Sequence, residues 1–325
     1  MSLLETFKDK KIIHISDVDL DGISSRILAE YYLRPITVKY SPILTDNRIS
    51  IETEIDNKLL DSSDTIIFTD LTPSSYDNWK NLVDKNKEIY IFDHHKSARE
   101  LLGELPNYYF DLDKCGTKIF YNALLDGKRK KPVIKQFVEL VNTYDLWKQD
   151  SPDWQKAKAL HNTCYGYVDW SHYKTTPKTV MFDNFIKAQL VKFQKDSRFI
   201  FTYKEQLIIQ RALQKEESAY KQAKRSLKIR TDTKGNQYAY IECTSKLSLV
   251  ASRILKELQN KIEYLIGYTT FNPNNTKVSV RSRNNFDVAK ICTEWGGGGH
   301  FNSAGIDFKD KIKVNDLRQG KFHLI

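Results

Sequence analysis

Asp17-Val-Asp19-Leu-Asp21-Gly22 sets three carboxylates at alternate positions, directly after the β-branched run Lys11–Ser16. In a tight turn such a spacing aims several hard oxygen donors into one crevice, and a glycine eases the backbone there. Oxygen donors of this kind suit Mg²⁺ or Mn²⁺. An EF-hand loop would need glutamate at its twelfth position; counted from Asp17, that position is Leu28. Asp93-His94-His95 closes a second apolar run, Asp70 ends a third, and Asp145 lies in Asn142-Thr-Tyr-Asp-Leu-Trp147 on a helical stretch. Asp70 or Asp145 alone reads as a cap or surface residue, and a lone DHH triplet can arise by chance. Together the four segments supply six aspartates and two histidines in a fixed order.

What positions them is an alternation of strands and helices. Lys11–Ser16, Thr37–Ile43, Thr65–Leu71 and Glu88–Asp93 read as strands. The helix-like piece Gly22–Tyr32 separates the first two, with Ile23, Ile27, Leu28 and Tyr31 at helical spacing. Such alternation predicts a parallel α/β sheet. The aspartates fall at the C-terminal ends of its strands, where open parallel sheets bind ligands. From Cys115 to Trp147 the spacing predicts helix. Residues 148–185 read as irregular and aromatic-rich (Trp154, Tyr165, Tyr167, Trp170, Tyr173), and Phe185–Lys228 as a charged amphipathic helix or helix pair. Stacking of bases on 165–173 is less expected than packing, and Lys128–Lys131 reads as a solvated loop.

The chain has 325 residues, which suggests two domains. Residues 1–185 carry 25 Lys+Arg against 28 Asp+Glu, residues 186–225 carry 10 against 4, and residues 226–325 carry 16 against 9. An acidic front and a basic back fit cation binding in one half and anion binding in the other. No run approaches a membrane span, and polar Met1–Lys11 shows no signal segment, so a cytoplasmic protein is expected. Cys115, Cys164, Cys243 and Cys292 form no CxxC pair and are expected as free thiols. Neither a GxxxxGK[ST] phosphate loop nor a GxSxG elbow is present.

The order DxDxDG, strand-end Asp, DHH and a further Asp resembles the DHH phosphoesterase superfamily, and within it the RecJ-type exonucleases and the nano-RNases. Arg281-Ser282-Arg283, Asp287-Val-Ala-Lys290, Gly296–His300 and Ser303-Ala-Gly305 resemble its associated substrate domain. The chain's size is similar to that of the nano-RNase branch. The resemblance implies an α/β fold in three parts. These are a parallel-sheet catalytic domain (1–185), a helical linker (186–225) and a smaller α/β substrate domain (226–325), with the active site in the cleft between domains. It implies two divalent cations, Mn²⁺ ahead of Mg²⁺. One would be held by Asp17, Asp21 and Asp70, the other by Asp19, His94 and Asp145, with Asp70 bridging. Many nano-RNases carry histidine where this chain has Asp17, whereas RecJ-type proteins carry aspartate.

Two cations roughly 4 Å apart supply a nucleophile and clamp the attacking and leaving oxygens. His95 would donate to the phosphate or the leaving oxygen. Arg281, Gly297, Gly298, Gly299 and His300 would grip an anion, through the guanidinium, the imidazole and close backbone approach. Asp93, Ser282 and Arg283 are secondary candidates. The expected activity is hydrolysis of short single-stranded RNA to nucleoside 5′-monophosphates. Rival substrates are 3′-phosphoadenosine 5′-phosphate and linear or cyclic dinucleotides, and a homodimer is one option. A non-catalytic nucleic-acid-binding module would be expected to have lost ligands, and here the set is filled.

Overall fold

A computed structural model describes residues 2–46, 51–172, 175–232, 234–258, 261–272, 275–283 and 286–308. The chain divides into two compact units, Met1–Ile209 and Gln210–Ile325.

The first unit opens with α1 (Leu3–Phe7), β1 (Lys11–Ser16), α2 (Leu20–Tyr32), β2 (Lys39–Leu44), α3 (Asn57–Asp61) and β3 (Thr65–Thr69). It continues with α4 (Tyr76–Asp84), β4 (Glu88–Asp93), α5 (Lys96–Leu102) and β5 (Tyr108–Phe110). The strands form one parallel sheet in the order β2-β1-β3-β4-β5. Its connections diverge between β1 and β3, and a crevice for ligands opens at such a point beyond the carboxyl ends. Alternation along the strands fills both faces. Ile12, Ile67 and Phe92 pack under α2 and the later helices, while Ile13, Ile15, Ile66, Phe68 and Ile91 pack on the other side with Leu60 and Leu82.

A helical layer follows: α6 (Gly116–Leu124), α7 (Pro132–Asp145), α8 (Trp154–Gly166), α9 (Lys178–Met181), α10 (Asp183–Lys195) and the start of α11 (Tyr203–Ser226), which belongs to the second unit from Gln210 on. Helix α8 lies where irregular chain is expected. Its polar and aromatic composition hides a workable stripe, since Trp154, Ala157, Leu160 and Cys164 are buried at helical spacing. Strand β5 also lacks a sequence signal, being three half-buried residues on the sheet's edge.

The second unit holds β6 (Lys228–Thr231), β7 (Gln237–Glu242), α12 (Leu247–Glu257), β8 (Tyr264–Asn272) and β9 (Asn275–Ser282). Helix α13 (Val288–Glu294), β10 (Gly298–His300) and β11 (Ser303–Phe308) complete it. Among the described residues six strands run β10-β11-β9-β8-β7-β6, and of these only β7 and β8 are parallel neighbours. Helix α12 covers one face and α13 the other. All four cysteines are buried and free. No helix among the described residues is long and apolar enough to cross a membrane.

Candidate metal centre

Asp17 follows β1, Asp70 follows β3, and His94 and His95 follow β4, so three strand ends present ligand atoms to one crevice. Asp145, the last residue of α7, joins them. A carboxylate at a helix C-terminus opposes the helix dipole, a local conflict that a functional site can sustain. Three trios each bring one ligand atom per residue within 4.8 Å of the others: Asp17–Asp19–Asp70, Asp21–His94–Asp145 and Asp70–His94–His95. The Nε2 atom of His94 lies 3.4 Å from Asp70 Oδ1 and 3.4 Å from Asp145 Oδ2.

These trios differ from the expected partition. Asp19 groups with Asp17 and Asp70, and Asp21 with His94 and Asp145. The alternate aspartates do not lie along one extended strand, because α2 starts between them. Asp19 is the N-cap, its Oδ1 accepting from the Gly22 amide at 3.0 Å. Asp21, inside the first turn, is carried to the start of α6, where its oxygens accept from Gly116 N (2.6 Å) and Thr117 N (2.9 Å).

The donor set fits divalent cations. Both carboxylate oxygens of Asp70 and Nε2 of His94 are buried without a hydrogen-bond partner, an arrangement that is costly unless something else binds them. Burial, and then the charges of Asp19, Asp21, Asp145 and Asp17, push the Asp70 carboxyl well above the usual range. Burial lowers His94, against the pull of Asp21, and so keeps a neutral imidazole, the form that ligates metal. A carboxyl raised in the metal-free fold favours that fold at low pH, and the contribution is lost as pH rises. Mn²⁺ requires the ionised form. Added Mn²⁺ is therefore expected to raise Tm, and more at about pH 8 than at about pH 5. At a hundred times Kd the gain is about 2.7 kcal/mol. Thermal melts with Mn²⁺ and with EDTA at both pH values check this.

Asp70 is itself strained. Its φ of +58° lies in the left-handed region, uncommon for a side-chain-bearing residue. Gly22 is required for space rather than for conformation. A Cβ there would sit 2.3 Å from the Asp17 carbonyl oxygen and 2.5 Å from its nitrogen.

Asp93 belongs to none of the trios. Its Oδ1 lies 2.7 Å from His95 Nδ1. Burial would raise the Asp93 carboxyl, but the hydrogen bond from His95 and the charges of both histidines hold it below the ordinary range. Asp93 thus orients the half-buried His95, a function its place in DHH does not reveal. His14 packs rather than joining the centre. It is buried, bonded to Tyr40 Oη (2.7 Å) and Thr69 Oγ1 (2.8 Å), and burial followed by the nearby Arg26 charge lowers it to about 3.

The other candidates lie in the second unit. Arg281 faces along β9, its guanidinium donating to Val280 O (3.1 Å) and Ala304 O (3.4 Å), and half-buried Arg283 follows the strand's end. Ser282 donates to Phe286 O (2.6 Å). Within the glycine run, internal packing accounts for two members. A Cβ on Gly297 would meet Gly305 O at 2.1 Å, and one on Gly299 would meet Ser303 O at 2.5 Å. A Cβ on Gly298, between them, would meet nothing. His300 is placed by its backbone opposite Ser303, and its side chain lies outside the described residues. Asp287 caps α13.

Of the aromatic stretch, Tyr144 stacks on His161 (4.2 Å between centroids) and on Trp154 (5.6 Å), and Tyr165 on Trp170 (6.2 Å). Packing thus accounts for most of it; Tyr173 lies outside the described residues. Lys128, Lys130 and Lys131 are tied to Glu5, Asn122 and Phe193 O of their own chain.

Residues 11–143 match the DHH family, N-terminal domain, and residues 235–320 match the DHHA1 domain. The chain is similar to oligoribonuclease NrnB of Bacillus subtilis, 22% identical over 308 residues that cover 90% of this chain and 72% of that protein. It is also similar to a 3′,5′-cyclic-nucleotide phosphodiesterase of Helicobacter pylori, 22% identical over 348 residues, covering 95% and 97%. Its fold is like that of RecJ from Thermus thermophilus in complex with Mn²⁺, with a TM-score of 0.58 and 16% identity over 98% of this chain and 53% of that one. With the two domains matched in sequence order and every ligand candidate of the crevice except Asp145 inside the first, the chain belongs to the DHH phosphoesterase superfamily.

Proposed function

We propose that this phosphoesterase hydrolyses short single-stranded oligoribonucleotides to nucleoside 5′-monophosphates, using two divalent cations, Mn²⁺ ahead of Mg²⁺. The observation that carries the reading is that Asp70 belongs both to the Asp17–Asp19 trio and to a trio with His94, which in turn reaches Asp21 and Asp145. Two adjoining sites with one shared carboxylate fit a pair of cations. Bound there, the cations would supply a nucleophile at neutral pH and offset charge on the phosphate oxygens.

The chain's own groups do the rest. Asp17, Asp19 and Asp70 hold one side, and Asp21, His94 and Asp145 the other. Asp93 accepts the Nδ1 hydrogen of His95 and favours the doubly protonated ring, whose Nε2–H would pass its proton to the leaving oxygen and leave the ring neutral. Arg281 and the Gly298 backbone are assigned to anion capture, with His300 beside them in sequence.

A 3′,5′-cyclic nucleotide is the second reading, favoured by the Helicobacter relative, nearly all of whose length is matched. A length series of end-labelled RNA and DNA starting at the dinucleotide, run beside cyclic nucleotides with Mn²⁺, separates the two. Mononucleotide ladders that fade with length are expected. Turnover of cyclic nucleotides alone would replace the first reading with the second. Arg281→Ala is expected to raise KM about tenfold or more with little change in kcat, because losing a charge-assisted contact weakens capture.

A further inference from the structure

Three consecutive backbone positions, Cys115–Thr117, meet the ligand candidates Asp21 and Asp70 and also Asn142, which precedes a third candidate on its helix. The Cys115 amide donates to Asn142 Oδ1 at 3.0 Å, and Asn142 sits one helical turn before Asp145 on α7. The next two amides go to the two oxygens of Asp21. The Thr117 hydroxyl donates to the Asp21 carbonyl at 2.6 Å and lies 3.0 Å from Ser25 Oγ. At Gly116 a Cβ would meet the Asp70 nitrogen at 2.9 Å and its Cα at 3.1 Å. One short turn is thus keyed to Asp21 by hydrogen bonds, to Asp145 through Asn142, and to Asp70 by close backbone contact.

We propose that the Cys115–Thr117 turn sets the spacing of Asp21, Asp70 and Asp145, and that Asn142 and Thr117 are positioning residues for the cations those carboxylates hold. This rests on reading the three aspartates as ligands. Asn142 is buried, and its acceptor oxygen is what ties α7 to α6 at this point. Without it the C-terminal turn of α7 is free to shift relative to the start of α6, and Asp145 drifts away from Asp21. Outer-shell partners of this sort typically hold about 10–100-fold of metal affinity.

The test is calorimetric titration of the full chain with Mn²⁺ alone. Wild type is expected to bind. Asn142→Ala is expected to weaken binding about 10–100-fold, whereas Asn142→Asp, which keeps an acceptor for the Cys115 amide, recovers most of that loss. Thr117→Val, of nearly unchanged shape, is expected to lose several-fold, and it carries the test if Asn142→Ala does not fold. Ser75→Ala removes the N-cap of α4, where Ser75 Oγ accepts from the Asn78 amide at 3.1 Å. It should lower Tm yet leave Mn²⁺ affinity unchanged, separating instability from misplacement. Wild-type affinity in both Asn142→Ala and Thr117→Val would overturn the proposal, as would equal losses in Asn142→Ala and Asn142→Asp. A wild-type chain that binds no Mn²⁺ would remove the ligand reading itself, and this proposal with it.

Discussion

Asp70→Asn is expected to lower kcat by roughly a thousandfold or more while leaving the fold intact. Asp70 belongs to two of the three ligand trios, so its charge serves both candidate cations. Its backbone sits at φ +58°, a conformation asparagine tolerates better than most side chains. Substitution also removes a buried carboxylate surrounded by Asp17, Asp19, Asp21 and Asp145. The variant's metal-free Tm should therefore equal or exceed that of wild type, while its Mn²⁺-induced rise in Tm disappears. Loss of turnover together with a preserved or raised Tm is a combination that a merely structural Asp70 would not give. Steady-state kinetics and melts with and without Mn²⁺ measure both, and kcat within tenfold of wild type would remove Asp70 from the centre.

Gly22→Ala is expected to damage stability and activity together. The new methyl would lie 2.3 Å from the Asp17 carbonyl oxygen and 2.5 Å from the Asp17 nitrogen. Both are main-chain atoms, so no side chain can rotate away. Either Asp17 is driven off β1's end or the first turn of α2, with Asp19 and Asp21, is displaced. Overpacking of this kind costs about 1–3 kcal/mol, and displacement of three ligand candidates should lower kcat/KM by roughly a hundredfold or more. Denaturant melts and kinetics on one preparation check it; a variant that turns over like wild type would mean the DxDxDG turn is not held by this contact.

Much of the fold and the centre is legible in the sequence, for physical reasons that can be named. Buried parallel strands must be apolar, and their carboxyl ends must carry whatever polar groups the site uses, so Asp17, Asp70, His94 and His95 stand out against KIIHIS, TIIFT and EIYIFD. Asp145 could be found only through the resemblance, since nothing local distinguishes it from a helix-end surface residue. That Asp19 and Asp21 fall into different trios is not legible. It depends on α2 beginning at Leu20, and helix starts shift by a residue or two in any reading of sequence. The orienting role of Asp93 and the Cys115–Thr117 turn depend on side-chain geometry, and the turn also on hydrogen bonds between residues far apart in the chain, such as Asp21 and Thr117. Periodicity encodes neither. Helix α8 is not legible because polar and aromatic neighbours mask the buried stripe Trp154, Ala157, Leu160 and Cys164.

Crystals of the full chain grown with Mn²⁺ and measured at the manganese absorption edge bear most directly on the centre. Two anomalous peaks are expected, one touched by Asp17 and Asp19, the other by Asp21, His94 and Asp145, with Asp70 reaching both. Peaks found only elsewhere, or none at saturating Mn²⁺, would show that these side chains do not form a metal centre.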